Sequence, residues 1–415
     1  MVQQEILVEK HIFRENHPFY EEMDNLTYLS KNLYNSTLYA IRQHFFSTGE
    51  YLSYNQVNKE FTHSDQSDYR AVPAKVAKQI QKLDDKAMKS FFGLLEVYKA
   101  GKLKDRPKLP GYLDSKTGRQ VVPYEKGAIS RKELKNGIVR LSGTDIRIKT
   151  KVPAEQVQFA RIVPHNGYIT VEIGYRRDLP ELKESAGRIA ALDLGINNLA
   201  VVSSDVMEPF IIDGKKLKYI NNRYNREIAL RKSQLAHING MKTSRRIRNS
   251  TLKRNNRITD YLHKASTMLA NQLDSAGIDT LVIGYNKGWK QDVNTGRVNN
   301  QKFVNIPFSQ FISNLEYKCR QRGIRVIKNE ESYTSKCSFF DDEEITKHEE
   351  YCGKRVKRGL FRTKDGRMVN ADLNGSLNIM KKALSEVSEW NSELFRQCVE
   401  QNSAPSITRY RIALS

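Results

Sequence analysis

The chain has 415 residues, enough for two or three domains with ample core. Its 69 Lys and Arg outnumber 47 Asp and Glu, giving a net charge of +22 and a pI near 9.6; that excess favours a polyanionic partner, above all a nucleic acid. Mean hydropathy is −0.62, no apolar run suffices to cross a bilayer, MVQQEILVEK does not read as a signal peptide, and Cys319, Cys337, Cys352 and Cys398 are too unevenly spaced for a disulfide framework. A cytoplasmic, nucleoid-associated protein is therefore expected, with no membrane partner.

Residues 2–13 fit one short strand. From Asn16 the pattern turns helical, with Leu26, Leu29, Leu33, Tyr34, Leu38, Tyr39 and Ile41 close to a 3.6-residue period. Gly49 and SYNQ read as a polar loop. Residues 71–101 read as one or two helices, with Pro73 near an N-terminus and Gly101 as a stop. Tyr, Asn, Gln and Lys interleave on these helices, which suits nucleic-acid stacking and phosphate contacts as well as a plain solvated face. RPKLPGYLDSKTG (106–118) breaks the helices. From there to Arg177, alternating segments such as GIVRLSG, DIRIKTKV and YITVEIGYRR predict a small β-barrel or sandwich. The first strand fits into it, which makes the helical region an insertion.

The stretch RIAALDLGINNLAVVSS (188–204) reads as a β-hairpin around a GINN turn, with Asp193 set into an apolar strand. A buried ionised carboxylate is costly without a cation or hydrogen bonds, so Asp193 is either a metal ligand or an acceptor for the turn that follows. EPFIIDGKKL adds a third strand. Residues 215–257 are the most basic region, and Ile247, Leu252, Ile258, Leu262, Met268 and Leu269 mark a long helix ending near Gly277. Its Arg245, Arg246, Arg248, Lys253, Arg254 and Arg257 could track a phosphate backbone.

IDTLVIGYN (278–286), the helix SQFISNLEYKCRQRG (309–323) and IRVIKNEESYTSK (324–336) form a βαβ unit, so its two strands should be parallel. Residues 337–370 are an irregular charged insertion in which KDG (364–366) marks a hairpin turn, and Asp372 stands just before a helix over 371–384. The last residues, QNSAPSITRYRIALS, read as mobile. Two magnesium ions about 4 Å apart, held by three carboxylates, would support in-line phosphodiester cleavage. Asp193 and Asp372 offer two. The strand ending in Gly284-Tyr285-Asn286 has no acid; the next ends in Glu330 and Glu331.

LDLGINNLAVVSS, HKASTMLANQL, VIGYNKGWKQ, YTSKCS and ADLNGSLNI, in this order, closely resemble the TnpB family of insertion-sequence proteins, often labelled OrfB-type transposases and related to the type V CRISPR effectors. RPKLPGY also fits. The resemblance covers most of residues 1–384. It implies an α/β RuvC nuclease with an RNase H-like sheet, a wedge β-barrel and a helical recognition insertion. The implied divisions are a first wedge strand (1–15), the recognition helices (16–105), the wedge barrel (106–180), the nuclease domain (186–336), a degenerate zinc-finger-like insertion (337–370), the last nuclease helix (371–385) and a tail (386–415). The implied activity is magnesium-dependent, RNA-guided cleavage of target DNA beside a short adjacent motif, with guide RNA and target DNA as partners; the sequence leaves the oligomeric state open, a monomer being the expectation.

The chain departs from that pattern in two places. Where much of the family has the second nuclease glutamate, this chain has Gly284; some relatives carry a substitute just before the TS of the following strand, which here is Glu331, with Glu330 the close alternative. The catalytic and metal-binding set is then Asp193, Glu331 and Asp372. The family's two CxxC pairs are also broken: Cys337 remains, but Phe340 stands where its mate would be. No zinc is expected, with the KDG hairpin, Phe339, Phe340, Leu360 and Phe361 packing the insertion instead. Trp289, Lys290, Ser335 and Lys336 are further candidate nucleic-acid contacts. A cleavage-dead RNA-guided repressor, a small type V CRISPR effector and an autonomous transposase are the competing readings.

Overall fold

A computed structural model describes residues 3–238, 243–286, 306–357, 359–384 and 408–413. Two compact units divide the chain, Gln4–Asp178 and the chain from Leu179 onward.

In the first unit, β1 (Gln4–Arg14) lies antiparallel along the whole of β6 (Tyr168–Asp178). Between them come α1 (Tyr20–Thr48), α2 (Tyr54–His63), α3 (Ser67–Arg70), α4 (Ala74–Lys99), β2 (Val122–Glu125), α5 (Arg131–Leu134), β3 (Ile138–Arg140), β4 (Arg147–Lys149) and β5 (Val157–His165). The first four helices are therefore an insertion after the first strand. The expected loop at SYNQ is instead the start of α2: Ser53 and Gln56 form a reciprocal capping box in which each satisfies the other's backbone N–H. Residues 74–99 are one helix, with Pro73 as N-cap. The chain turns away at Gly101, whose φ of 72° suits glycine.

The expected barrel does not close. The strands form an open sheet in the order β1-β6-β5-β2, while β3 and β4 pair as a separate two-stranded sheet. Pro123 in β2 lacks an N–H and suits an edge strand, and three-residue strands are too short to bridge a barrel wall.

Asp84 of α4 is wholly buried, and neither carboxyl oxygen has a hydrogen-bond partner. Burial pushes its pKa well up. The folded chain then holds a proton that the unfolded chain releases above the ordinary carboxylate range, so this site costs stability as pH rises past that range. Asp84→Asn is expected to raise the melting temperature by several degrees near neutral pH and hardly at all near pH 4, as differential scanning fluorimetry across pH would show.

The second unit holds β7 (Ile189–Leu194), β8 (Asn198–Ser204), β9 (Phe210–Asp213), α6 (Lys215–Ala236), α7 (Arg245–Ser275), β10 (Thr280–Gly284), α8 (Phe308–Arg320), β11 (Arg325–Asn329), β12 (Lys354–Lys357), β13 (Leu360–Arg362), β14 (Met368–Asn370), α9 (Ala371–Leu384) and β15 (Thr408–Tyr410). Six strands form one sheet in the order β11-β10-β7-β8-β9-β15. β7 and β8 make the expected hairpin, and β10 runs parallel to both β7 and β11, as a βαβ unit requires.

Apolar alternation on these strands feeds two cores. Leu192, Ala200, Ile212 and Ile283 pack with Tyr261 and Leu269 of α7 and Phe311 of α8. On the opposite face, Ala191, Val201, Ile211 and Val282 pack with Leu373, Leu377 and Ile379 of α9 and with Phe339 and Phe340. The tail expected to be mobile contains a strand: β15 pairs parallel with β9, and Tyr410 sets its ring edge-on to Phe210. Tyr410 and Ile412 are apolar side chains packed against an existing core, which offsets the entropy of ordering them. The extension of the last helix beyond Leu384 lies outside the described residues.

Candidate active site

β7, β10 and β11 are neighbours running in one direction, so their carboxyl ends share one edge of the sheet. Asp193 is the penultimate residue of β7. Alternation places it on the face of Ala191, toward α9. Gly284 ends β10, and Asn329 ends β11 just ahead of Glu331. To approach Asp193, a side chain from beyond β11 must cross β10, since adjacent strands lie about 4.8 Å apart. Gly284 opens that path: a Cβ there would stand 2.8 Å from Glu331 Oε2 and 2.5 Å from Ile379 Cδ1. Gly284 thus leaves room for the carboxylate arriving from the next strand.

The loop after β11 is fixed at both ends. The Glu331 N–H donates to Asn286 Oδ1 (3.1 Å), and Asn286 Nδ2 donates to Glu331 Oε1 (3.2 Å). Thr334 Oγ1 donates back to the Glu331 carbonyl (2.8 Å). Glu330 takes a different course: it is exposed and pairs with Lys382 (2.5 Å) and Ser332. Those partners hold its carboxyl below the ordinary range.

Asp372 lies in the first turn of α9, one residue inside the helix, with Asn370 Oδ1 accepting from the Asp372 and Leu373 N–H groups. Its Oδ2 accepts from Asn198 Nδ2 (2.7 Å), and its Oδ1 pairs with Arg355 Nη2 of β12 (2.9 Å). α9 is stitched to its neighbours by the polar residues of its NGSLN run. Asn374 Nδ2 donates to the Cys337 carbonyl and Asn378 Nδ2 to those of Thr334 and Cys337. Ser376 Oγ donates to the Ala191 carbonyl (3.1 Å). Gly375 faces Asp193, where a Cβ would come within 3.2 Å of Oδ2.

The electrostatics link the three acids. Burial, then Glu331, then Asp372 push the Asp193 carboxyl well above its ordinary value, opposed by Arg355 and the Leu194 N–H. Burial and then Glu330 push Glu331 up to about 7. Carboxylates crowded in this way ionise together only if positive charge is supplied. Among the described residues, no three His, Cys, Asp or Glu side chains stand close enough to enclose an ion as they are; the acids would have to draw in around one. Asn198, Asn286, Gly284, Gly375 and Arg355 were not singled out from sequence for these contacts. Asn198 reads there only as a turn residue, and Arg355 as one charge in an irregular insertion.

The basic residues separate into two kinds. Arg245, Arg246, Lys253 and Arg257 are exposed on α7. Lys253 and Arg257 line a cleft of about 630 Å³ between α6 and α7 with Tyr219, Arg223 and Tyr224. Arg248 is half-buried; Arg254 is too, and it ties the two helices together through Asn221 Oδ1 (2.8 and 2.6 Å). Ser335 and Lys336 are exposed on the loop beyond Glu331. Trp289 and Lys290 lie outside the described residues.

In the insertion, β13 and β14 form the expected hairpin about Gly366, and Phe339, Phe340 and Phe361 are buried while Leu360 is half-buried. A further clamp is the buried Glu343 carboxylate, which accepts the backbone N–H groups of Ser338 (2.7 Å) and Cys352 (2.9 Å). Cys337 Sγ donates to the Thr346 carbonyl, and the half-buried His348 ring bonds to the Glu344 carbonyl. Glu343→Ala leaves the buried Ser338 N–H unpartnered, at a cost of about 1–3 kcal/mol. Amide exchange at Ser338 should then accelerate by about tenfold or more, which exchange mass spectrometry would read.

No described helix is long and apolar enough to cross a membrane. Residues 169–290 match the OrfB_IS605 family, a probable transposase, and residues 308–379 match the Cas12f1-like TNB domain. TnpB-like protein ORF457 of Acidianus two-tailed virus is 24% identical over 411 residues, covering 88% of this chain and 84% of the relative. Among solved structures, a Cas12f1-sgRNA-target DNA complex matches at 15% identity and a TM-score of 0.35, covering 90% of this chain and 98% of that one. The mini-RNA-guided endonuclease CRISPR-Cas_phi3 matches at 12% identity and a TM-score of 0.45, covering 92% of each chain. The chain is thus similar to TnpB-like proteins over most of its length, with a region that matches the OrfB_IS605 family followed by one that matches the Cas12f1-like TNB domain.

Proposed function

We propose that this protein is an RNA-guided DNA endonuclease whose RuvC-type, RNase H-like sheet cuts phosphodiesters with two magnesium ions. The observation that carries the reading is the set Asp193, Glu331 and Asp372, delivered from three separate stretches of chain to one sheet edge and electrostatically coupled there. Their chemistry fits the metal: hard carboxylate oxygens suit Mg²⁺, and Asp193 is crowded by acids whose charge a cation would offset.

When bound, the ions would supply an activated water and neutralise charge on the leaving oxygen. The protein's own residues do the rest. Asp193, Glu331 and Asp372 would hold the ions. Asn286 fixes Glu331, Asn198 holds one oxygen of Asp372, and Gly375 keeps space beside Asp193. Arg355 occupies the other oxygen of Asp372 and would have to yield it to a metal, leaving its guanidinium free for a phosphate. The cations of α7 and of the α6–α7 cleft suit a nucleic-acid backbone. Guidance by RNA follows from the TnpB resemblance.

The test is to purify the protein with whatever RNA it carries, sequence that RNA, and supply duplex DNA matched to it, with and without Mg²⁺. Magnesium-dependent cutting at a fixed offset supports the reading. DNA that is bound through the RNA but left intact would favour the repressor, and strand joining without RNA would favour a transposase.

A further inference from the structure

The strand β15 reaches the acid site through one side chain. Arg409 Nη1 donates to Asn198 Oδ1 (2.7 Å), and Asn198 Nδ2 donates to Asp372 Oδ2 (2.7 Å). Arg409 is itself anchored to Asp213, a buried residue of β9 whose Oδ1 accepts the Lys215 N–H (2.6 Å) and whose Oδ2 lies 3.4 Å from Arg409 Nη1. Asn198 and Asp213 stand opposite each other in the β8–β9 pairing. The strand is docked independently of this relay, by its pairing with β9, by Tyr410 against Phe210, and by Lys264 donating to the Ala413 carbonyl.

An asparagine amide carries a donor end and an acceptor end, and only its surroundings decide which points where. A guanidinium can only donate, so Arg409 fixes the Asn198 oxygen toward itself and turns the NH₂ toward Asp372. Without Arg409 the amide loses the donor that holds its oxygen. Asp372 alone would then select the NH₂ end, so the amide would be held at one end instead of two and Asp372 would be less firmly set.

We propose that Arg409 is a positioning residue of the acid site: β15 closes the sheet edge and, through Asn198, sets Asp372 for a divalent cation. This rests on the metal-dependent reading above and extends it to a part of the chain that no motif marks.

The test is Mn²⁺ binding to the full chain, followed by electron paramagnetic resonance, for wild type, Arg409→Met, Arg409→Lys, Asn198→Ala and the double variant Arg409→Met/Asn198→Ala. Arg409→Met is expected to weaken Mn²⁺ binding by about 10–100-fold. Arg409→Lys, which keeps a donor, should recover part of that. The double variant should be no worse than Asn198→Ala, because both act through one amide. A strand that merely braces the sheet would give additive losses and no rescue by lysine. Amide exchange at residues 408–410 shows whether β15 stays paired in each variant; if Arg409→Met releases it, the comparison of Asn198→Ala with the double variant still decides. Wild-type affinity in Arg409→Met, or additive losses, would overturn the proposal and leave the metal reading standing. Wild-type protein that binds Mn²⁺ no better than Asp193→Asn would remove both.

Discussion

Glu331→Gln is expected to lower cleavage of guide-matched DNA by about a thousandfold or more, the several kcal/mol of transition-state stabilisation that a metal ligand secures. Glutamine keeps the length of the side chain and can still accept from Asn286 Nδ2, so the loop between β11 and Thr334 should hold its course. What disappears is the negative charge. Binding of matched DNA should stay within a few-fold of wild type, because the α7 cations lie elsewhere in the unit. Glu330→Gln supplies the contrast. Glu330 is exposed and engaged by Lys382 and Ser332; exposed ion pairs contribute about 0–1 kcal/mol, so cleavage should fall no more than a few-fold. Rates measured under single turnover separate this from product release. If the Glu330 variant were the inactive one, the assignment would be reversed.

The second large effect is at Gly284. A methyl group there meets Ile379 Cδ1 at 2.5 Å and Glu331 Oε2 at 2.8 Å, so Gly284→Ala must displace a core side chain, the carboxylate, or both. Overpacking of this kind costs about 1–3 kcal/mol, and moving a reacting group by about 1 Å costs about a hundredfold in rate. The variant should be folded, less stable and poorly active. The same geometry suggests a rescue. Gly284→Glu alone should be inactive, since two glutamates and Ile379 compete for one space. Combined with Glu331→Ala and Ile379→Val, which removes the Cδ1 atom, it would carry the acid on β10 beside Asp193, and cleavage should return. A triple variant that folds to wild-type stability and does not cut would show that the site depends on more than a carboxylate at that point.

What the sequence disclosed follows from the range of each interaction. The β7–β8 hairpin, the long α7 helix and the parallel β10–β11 pair rest on local alternation, turn residues and the handedness of βαβ connections, all readable along the chain. Barrel closure was misjudged because alternation says that a strand has two faces and nothing about whether the last meets the first. The α2 start carried a readable signal, Ser53 three residues ahead of Gln56, masked by its polar surroundings. Asp193 stands out as an acid in an apolar strand, Asp372 as one at a helix start, and Glu331 as the substitute for a missing one. The partners that position them do not. Asn198 and Asp372 are 174 residues apart, and Arg409 and Asn198 are 211 apart. Nothing in either neighbourhood announces the contact. Gly284 read as a loss when taken alone; its use as an opening appears only once Glu331 lies across it.

On the proposed reading, Glu331, crossing above Gly284, completes the metal-holding set with Asp193 and Asp372. The most direct measurement is Mn²⁺ stoichiometry and affinity in the protein–RNA–DNA complex, with the scissile bond blocked by a phosphorothioate, for wild type, Glu331→Gln and Glu330→Gln. Wild type and Glu330→Gln should each bind about two ions per chain with matching affinity, and Glu331→Gln should lose at least one. Full occupancy in Glu331→Gln, or a loss confined to Glu330→Gln, would contradict it.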